Sequence, residues 1–331
     1  MLIAAVMEVS AVADHHGLGS DFAGTIYHPA EAVVHGRTPY GDPRVAGPLA
    51  GSVYPPSAFV PFALLGLLPR AAAVTLWIAL LVAAAVATLW ILGVRDPRLY
   101  ALWLLTPMVL STAAIGNATV LVVFLTALMW RYRDRAVVAG AALAGAVAIK
   151  LFVAPLVVWL AATRRYRAAA YATGIAAAAI LGAWAVIGFS GLGRYASILR
   201  ANRDVFGGDG PYVQQLVLQL GGSSGAALAA GIAVAALLLV AARRSPPVTG
   251  LALALAASIV LAPVGWIGYL GLLAIPLAVL WPALSGPWLV LLVGSYAHWY
   301  YAPLVYGSAA LSVLTLVLAS TVLGQIAVER R

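Results

Sequence analysis

Cysteine is absent from the 331 residues, lysine occurs once, and charged side chains make up only 9% of the chain. The missing cysteine excludes disulfides, thiolate catalysis and Cys-ligated metal. The scarcity of charge excludes a soluble domain, where roughly a quarter of residues are charged. No Gly-rich phosphate loop, Ser/His/Asp arrangement or nucleotide fingerprint is present, which argues against an ATP or nucleotide-sugar enzyme. Metal spacing is missing too. His15 and His16 are adjacent and would point roughly 100° apart on a helix, and His28 and His35 lie seven apart without an acidic companion motif. Neither a metal nor another cofactor is expected.

Hydrophobic residues make up 64% of the chain, in long apolar runs that recur from Ala71 onward. A helix needs about 20 apolar residues to cross the hydrocarbon core. The chain is therefore an all-α polytopic membrane protein, a single domain over residues 1–331. Its net charge of +9 could suggest nucleic acid, but the arginines sit in breaks between apolar runs and not on a basic face. They read as topology signals and anionic-lipid contacts, and no nucleic-acid partner is expected.

The breaks are Arg95 with Arg98; Arg131, Arg133 and Arg135; Arg164, Arg165 and Arg167; Arg243 with Arg244; and Arg330 with Arg331. The positive-inside rule puts them in the cytoplasm, so an even number of crossings must separate each pair. Ala72 to Val94 descends to the first break. Leu99 to Ala114 and Gly116 to Trp130 form a hairpin turning at Gly116-Asn117, and Ala136 to Thr163 makes two short crossings that break near Lys150. Ala168 to Gly188 is paired with Gly222 to Ala242, then Thr249 to Val264 with Trp266 to Pro282, and Trp288 to Pro303 with Val305 to Leu323. Met1 to Ala13 is apolar but interrupted by Glu8, and reads as the remnant of a first helix whose start is missing or misplaced. Tyr54 to Pro69, with Pro55, Pro56, Pro61 and Pro69, suits an interfacial or re-entrant piece. The tally is about 11–12 membrane segments.

This map leaves residues 14–71 and 189–221 as non-cytoplasmic loops. They hold Asp14, Asp21, Glu31, Asp42, Asp204 and Asp209, six of ten acidic residues, together with His15, His16, His28 and His35. Polar chemistry thus gathers on the outer face, where the turns also carry Asn117, Lys150, Trp266, Tyr269 and His298. Lys150, within an apolar run, costs ~2.5–3.5 kcal/mol or more unless it snorkels or is paired. It is either a snorkelling lysine or a fixed charge for a lipid phosphate. Asp21 is either a helix cap or solvated loop acid, or a general base at the membrane surface, and spacing alone does not separate these readings. Asp42 reads as a turn residue, and Asp204 and Asp209, flanking Gly207-Gly208, as loop residues. The aromatic clusters Trp266 to Tyr269 and Tyr296 to Tyr301 are interfacial anchors or the lining of a sugar or lipid cleft.

The stretch Asp21-Phe22-Ala23-Gly24-Thr25-Ile26-Tyr27-His28-Pro29-Ala30-Glu31-Ala32-Val33-Val34-His35-Gly36-Arg37-Thr38-Pro39-Tyr40, followed by Tyr54-Pro55-Pro56, resembles the first outer loop of glycosyltransferase family 87. Gly116-Asn117-Ala118-Thr119 looks like that family's Gly-Gln-x-Asn-type turn. Lys150-Leu151-Phe152-Val153-Ala154-Pro155 is similar to its Lys-x-x-Pro segment, and Leu261-Ala262-Pro263-Val264-Gly265-Trp266 to its Ser-Pro-x-x-Trp motif. The family's His after that Trp is replaced here by Ile267, Gly268 and Tyr269, with His298 as a substitute.

The resemblance implies a C-type glycosyltransferase (GT-C) bundle in the plasma (bacterial inner) membrane, with its active site facing outward. It implies a polyprenyl-phosphate sugar donor, mannose above all, a lipid or glycan acceptor, membrane lipids as surroundings, and inverting transfer. Asp21 would be the base. Lys150, with Arg37 or an arginine among Arg194, Arg200 and Arg203, would hold the leaving phosphate. Tyr40, Tyr54, Asn117, His28 and His298 would belong to the cleft. A non-catalytic lipid-binding relative, or a lipid or sugar transporter, is the alternative.

Overall fold

The computed structural model describes residues 17–40, 53–206, 212–262 and 266–300, with Thr321 and Gly324 besides. Met1 to Ala13, Asp14, His15, His16, Asp42, Asp209, the Pro263-Val264-Gly265 step, the Val305 to Leu323 crossing and the terminal arginines lie outside this set, Thr321 apart.

The described residues form helices. Helix α1 is built from three consecutive stretches, Ser20–Phe22, a π-helical Ala23–Tyr27, and His28–Val34. Two 3₁₀ pieces, Pro56–Ala58 and Val60–Leu67, follow, and the second packs against it. This is the non-crossing behaviour expected of Tyr54 to Pro69, since prolines remove the backbone donors a long helix needs. Helix α2 (Arg70–Ile91) is the first long span. Its 22 residues extend about 33 Å at 1.5 Å each, enough for a hydrocarbon core of about 30 Å. Ala73, Trp77, Leu81, Ala84, Ala85, Thr88 and Leu89 face the protein, while Leu76, Leu80 and Trp90 stay exposed. Such outward apolar residues suit lipid as the solvent.

Helices α3 (Pro97–Leu104) and α4 (Pro107–Ala114) replace the single Leu99 to Ala114 crossing expected from hydropathy. The cause is Pro107, which disfavours helical backbone at the residue before it; Thr106 is extended at φ −72°, ψ 145°. Helix α5 (Thr119–Arg131) completes that region. Next, α6 (Ala136–Ile149), the short 3₁₀ piece Leu151–Val153, and α7 (Pro155–Ala162) divide the Ala136 to Thr163 run at Lys150, as expected, with Lys150 extended at φ −143°, ψ 113°.

Helix α8 (Tyr166–Val186) is the second long span, and its small-residue face lies against α6. At their crossing a Cβ on Gly140 would sit 2.5 Å from the Cβ of Tyr171, so only glycine fits. The stretch from Phe189 to Gly221 is itself largely helical, with α9 (Leu192–Phe206) and α10 (Tyr212–Gln219). Helix α11 (Ser224–Arg244), the third long span, packs on α12 (Pro247–Val260). Trp266 to Pro282 is not one helix: a 3₁₀ segment, Ile267–Leu273, precedes α13 (Ala274–Leu280), and α14 (Gly286–Tyr300) follows.

Among the described residues three helices, α2, α8 and α11, are long and apolar enough to cross a membrane, with several shorter apolar helices besides. The chain is an all-helical membrane protein in its described residues. One main core runs from Phe22 to Leu292 and ties the short helices to the long ones.

Candidate active site

The first structural element of the site is a junction between two helix ends. The backbone N–H of Gly19 donates to the Ala114 carbonyl at 2.8 Å. Those of Asp21 and Phe22 donate to the Ile115 carbonyl at 2.9 and 3.2 Å. Donors at the start of α1 and acceptors at the end of α4 would otherwise lack helical partners, and each end satisfies the other. Phe22 stacks on Trp77 at 5.0 Å, and the Trp77 indole N–H donates to the Gly116 carbonyl at 2.7 Å. Gly116 turns at φ +77°, and a Cβ there would meet that of Phe22 at 2.6 Å. The glycine is thus required both by the turn and by the close approach. This docking brings Asp21 alongside the Gly116-Asn117 turn.

The second element is a buried polar knot. The Asn117 Oδ1 accepts from the Thr119 N–H at 3.0 Å, the Thr119 hydroxyl at 2.6 Å and the Lys150 ammonium at 2.9 Å. Lys150 also donates to the Thr119 Oγ1 at 2.8 Å. Its Nζ lies 4.9 Å from the Tyr54 ring centre and 5.1 Å from that of Tyr269, within cation–π range. Tyr269 is held in turn by stacking on Phe152 at 4.2 Å. Lys150 is only 7% exposed, so it does not snorkel. It is caged instead by two neutral acceptors and two aromatic rings.

Both elements open on a cavity of about 270 Å³, lined by Asp21, Tyr54, Asn117, Lys150, Trp266 and Tyr269, with Phe152, Tyr195 and Leu199 as apolar wall. The Tyr54 hydroxyl donates to the Asp21 Oδ2 at 3.4 Å. The Thr25 hydroxyl donates to the Asp21 backbone carbonyl at 2.6 Å. Asp21 is partly exposed, and among the described ion pairs none joins it directly to Lys150. One negative and one positive side chain therefore face the same apolar-walled space without neutralising each other by contact.

Of the residues singled out in the sequence, Asp21, Tyr54, Asn117 and Lys150 come together here. Tyr40 stands behind the wall: fully buried, it donates to the Tyr54 carbonyl at 3.0 Å and stacks on Trp184 at 5.3 Å. It positions the segment that carries Tyr54. Arg37 and His28 are exposed and pair with Glu31 at 3.9 and 3.3 Å, away from the cavity lining. Arg194 and Arg200 are exposed on α9 and do not line it. His298 lies on α14, and its side chain and that of Arg203 fall outside the described residues.

Thr119 is the member that sequence reasoning missed. Its signal was the Asn117-Ala118-Thr119 spacing, which lets an Asn side chain cap the residue two ahead. Among the described residues no three His, Asp or Glu side chains converge as a metal site would need.

A model of glycosyltransferase family 87 matches residues 53–264, more than half of the chain. The chain belongs to glycosyltransferase family 87. No significantly similar curated protein and no significantly similar solved structure was found. The part of the chain matched by glycosyltransferase family 87 contains Tyr54, Asn117, Thr119 and Lys150; Asp21 precedes it, and Trp266 and Tyr269 follow it. Family and helices together make the protein a membrane glycosyltransferase. For such a reaction the cavity offers one group able to take a proton and one fixed cation.

Proposed function

We propose that the protein transfers a sugar, mannose in the first instance, from a polyprenyl-phosphate donor to a hydroxyl of a lipid or glycan acceptor. Transfer would take place on the non-cytoplasmic face of the plasma membrane, in a GT-C-type bundle. The observation that carries this reading is the pair Asp21 and Lys150 on one apolar-lined cavity.

In this mechanism Asp21 accepts the proton of the acceptor hydroxyl as its oxygen forms a bond to the anomeric carbon. The bond from that carbon to the phosphate oxygen breaks on the opposite side, so the configuration inverts. The polyprenyl phosphate leaves with the electron pair, and its added negative charge falls beside the Lys150 ammonium. A cation already fixed by Asn117 and Thr119 needs little reorganisation at that moment, which is the condition for effective electrostatic stabilisation. The Tyr54 and Tyr269 rings keep water from the ammonium, and the apolar wall suits a prenyl chain at the mouth.

The test is a transfer assay in liposomes with radiolabelled polyprenyl-phosphate-mannose and total membrane lipid as acceptor pool. Labelled product from the wild type, with at least about a 100-fold loss in Asp21→Asn, supports the reading. Retained activity in a folded Asp21→Asn protein removes Asp21 as base. Donor binding without turnover by the wild type would favour a non-catalytic lipid-binding protein.

A further inference from the structure

A second cavity, of about 360 Å³, lies where α7 and α8 meet the end of α11, at the other end of α6 from Lys150. The 14 residues of α6 separate the two ends by about 21 Å. Its wall includes Trp159, Thr163, Arg164, Arg165, Arg243 and Ser245. Three arginines thus line one hollow. Among the described residues the one carboxylate paired with them is Asp134, which accepts from Arg165 at 3.3 Å and is itself largely exposed.

Two details mark this wall. The Thr163 and Ser245 hydroxyls on it already donate to the Trp159 and Ala241 carbonyls of their own helices.

The other detail is Arg164, held at φ +63°, where non-glycine residues are strained. It closes α7 by a paired turn: the Arg165 N–H donates to the Leu160 carbonyl at 2.9 Å, and the Arg164 N–H to the Ala161 carbonyl at 3.0 Å. Glycine is the usual occupant of that position. Here the turn places Arg164 on the cavity wall.

We propose that this cavity is a binding site for a phosphate-ester anion, held by Arg164, Arg165 and Arg243. Basic pockets between membrane helices suit phospholipid headgroups, and planar guanidinium groups suit phosphate oxygens. The site is independent of the sugar-transfer reading, since it shares no residue with the Asp21 cavity.

The full-length protein in phosphatidylcholine nanodiscs is the starting point. Melting temperature is followed while phosphatidylglycerol is titrated into the bilayer, and separately while glycerol 1-phosphate or inorganic phosphate is added in solution. A saturable rise with phosphatidylglycerol alone identifies a lipid headgroup; a rise with the soluble anions identifies free phosphate esters. Either supports the site if Arg243→Gln and Arg164→Gly each weaken binding about fivefold. Arg164→Gly suits the turn, so its loss of binding is not a folding defect. Arg167→Gln, exposed and away from the cavity wall, should leave binding unchanged. No anion-dependent rise in the wild type, or equal losses in Arg167→Gln and Arg243→Gln, overturns the proposal, because net surface charge would then explain everything.

Discussion

Replacing Lys150 by methionine should leave the fold as stable as before while removing transfer. The ammonium makes two charge-assisted hydrogen bonds, at 2.9 and 2.8 Å, and touches two aromatic rings. Each bond stabilises by about 1.5–3 kcal/mol and each ring by up to about 2 kcal/mol. Against this stands the effective penalty of several kcal/mol for taking an ammonium out of water. The two sides nearly cancel, and methionine keeps most of the apolar volume.

Removing an acceptor instead leaves the charge buried and under-bonded. Thr119→Val should therefore destabilise the protein by about 1.5–3 kcal/mol. In a Lys150→Met background the same change removes mainly the Thr119 hydroxyl bond to Asn117, and should destabilise by only about 0.5–1.5 kcal/mol. The coupling between the two positions should be about 1–2 kcal/mol. Denaturant titration of all four proteins in one detergent measures it. The transfer assay on the same samples should show at least about a 100-fold loss in Lys150→Met. If Lys150→Met is the least stable of the four and still transfers sugar, the lysine is structural and the argument fails.

Gly116→Ala should destabilise by about 2–4 kcal/mol, because it combines a left-handed backbone with a Cβ pressed to 2.6 Å from Phe22; an unchanged melting temperature would mean that the α1 junction does not depend on this turn. Asp96 accepts from the Arg98 guanidinium and from the Leu284 N–H, and these bonds hold its carboxyl below the usual carboxylate range. With the folded value lowered, its stabilisation is complete above the unfolded value of about 3.9 and fades as pH falls below that. The melting-temperature gap between wild type and Asp96→Asn should therefore be constant from pH 5 to 8 and shrink below about pH 4. Tyr40→Phe removes one buried hydrogen bond to the Tyr54 carbonyl and should destabilise by about 1 kcal/mol. Its effect on transfer should be far smaller than that of Asp21→Asn, and a comparable loss would place Tyr40 in the chemistry.

Much of this protein was legible in one dimension. Apolar run length, proline and the arginine breaks record how each segment partitions between lipid and water, and that partition is local. They sufficed for the membrane class, the split at Lys150 and the short proline-rich piece after Tyr54. They failed at Leu99 to Ala114, where hydropathy continues but Pro107 breaks the helix.

The site was legible only as a set of candidates. Whether a lone lysine snorkels or is caged depends on acceptors 31 and 33 positions away, and no spacing within the α6–α7 run encodes them. The same holds for Asp21, which reaches the cavity because two helix ends satisfy each other's backbone groups across nearly a hundred residues. Tyr40, Arg37 and His28 carry the right chemistry in sequence. Tertiary packing buried the first behind the wall and left the other two outside on Glu31. Composition and pattern determined that the chain belongs in a membrane, because transfer free energy sums over neighbouring residues. Which polar groups share one cavity was decided by helix docking, because burial and hydrogen bonding depend on partners distant in the chain.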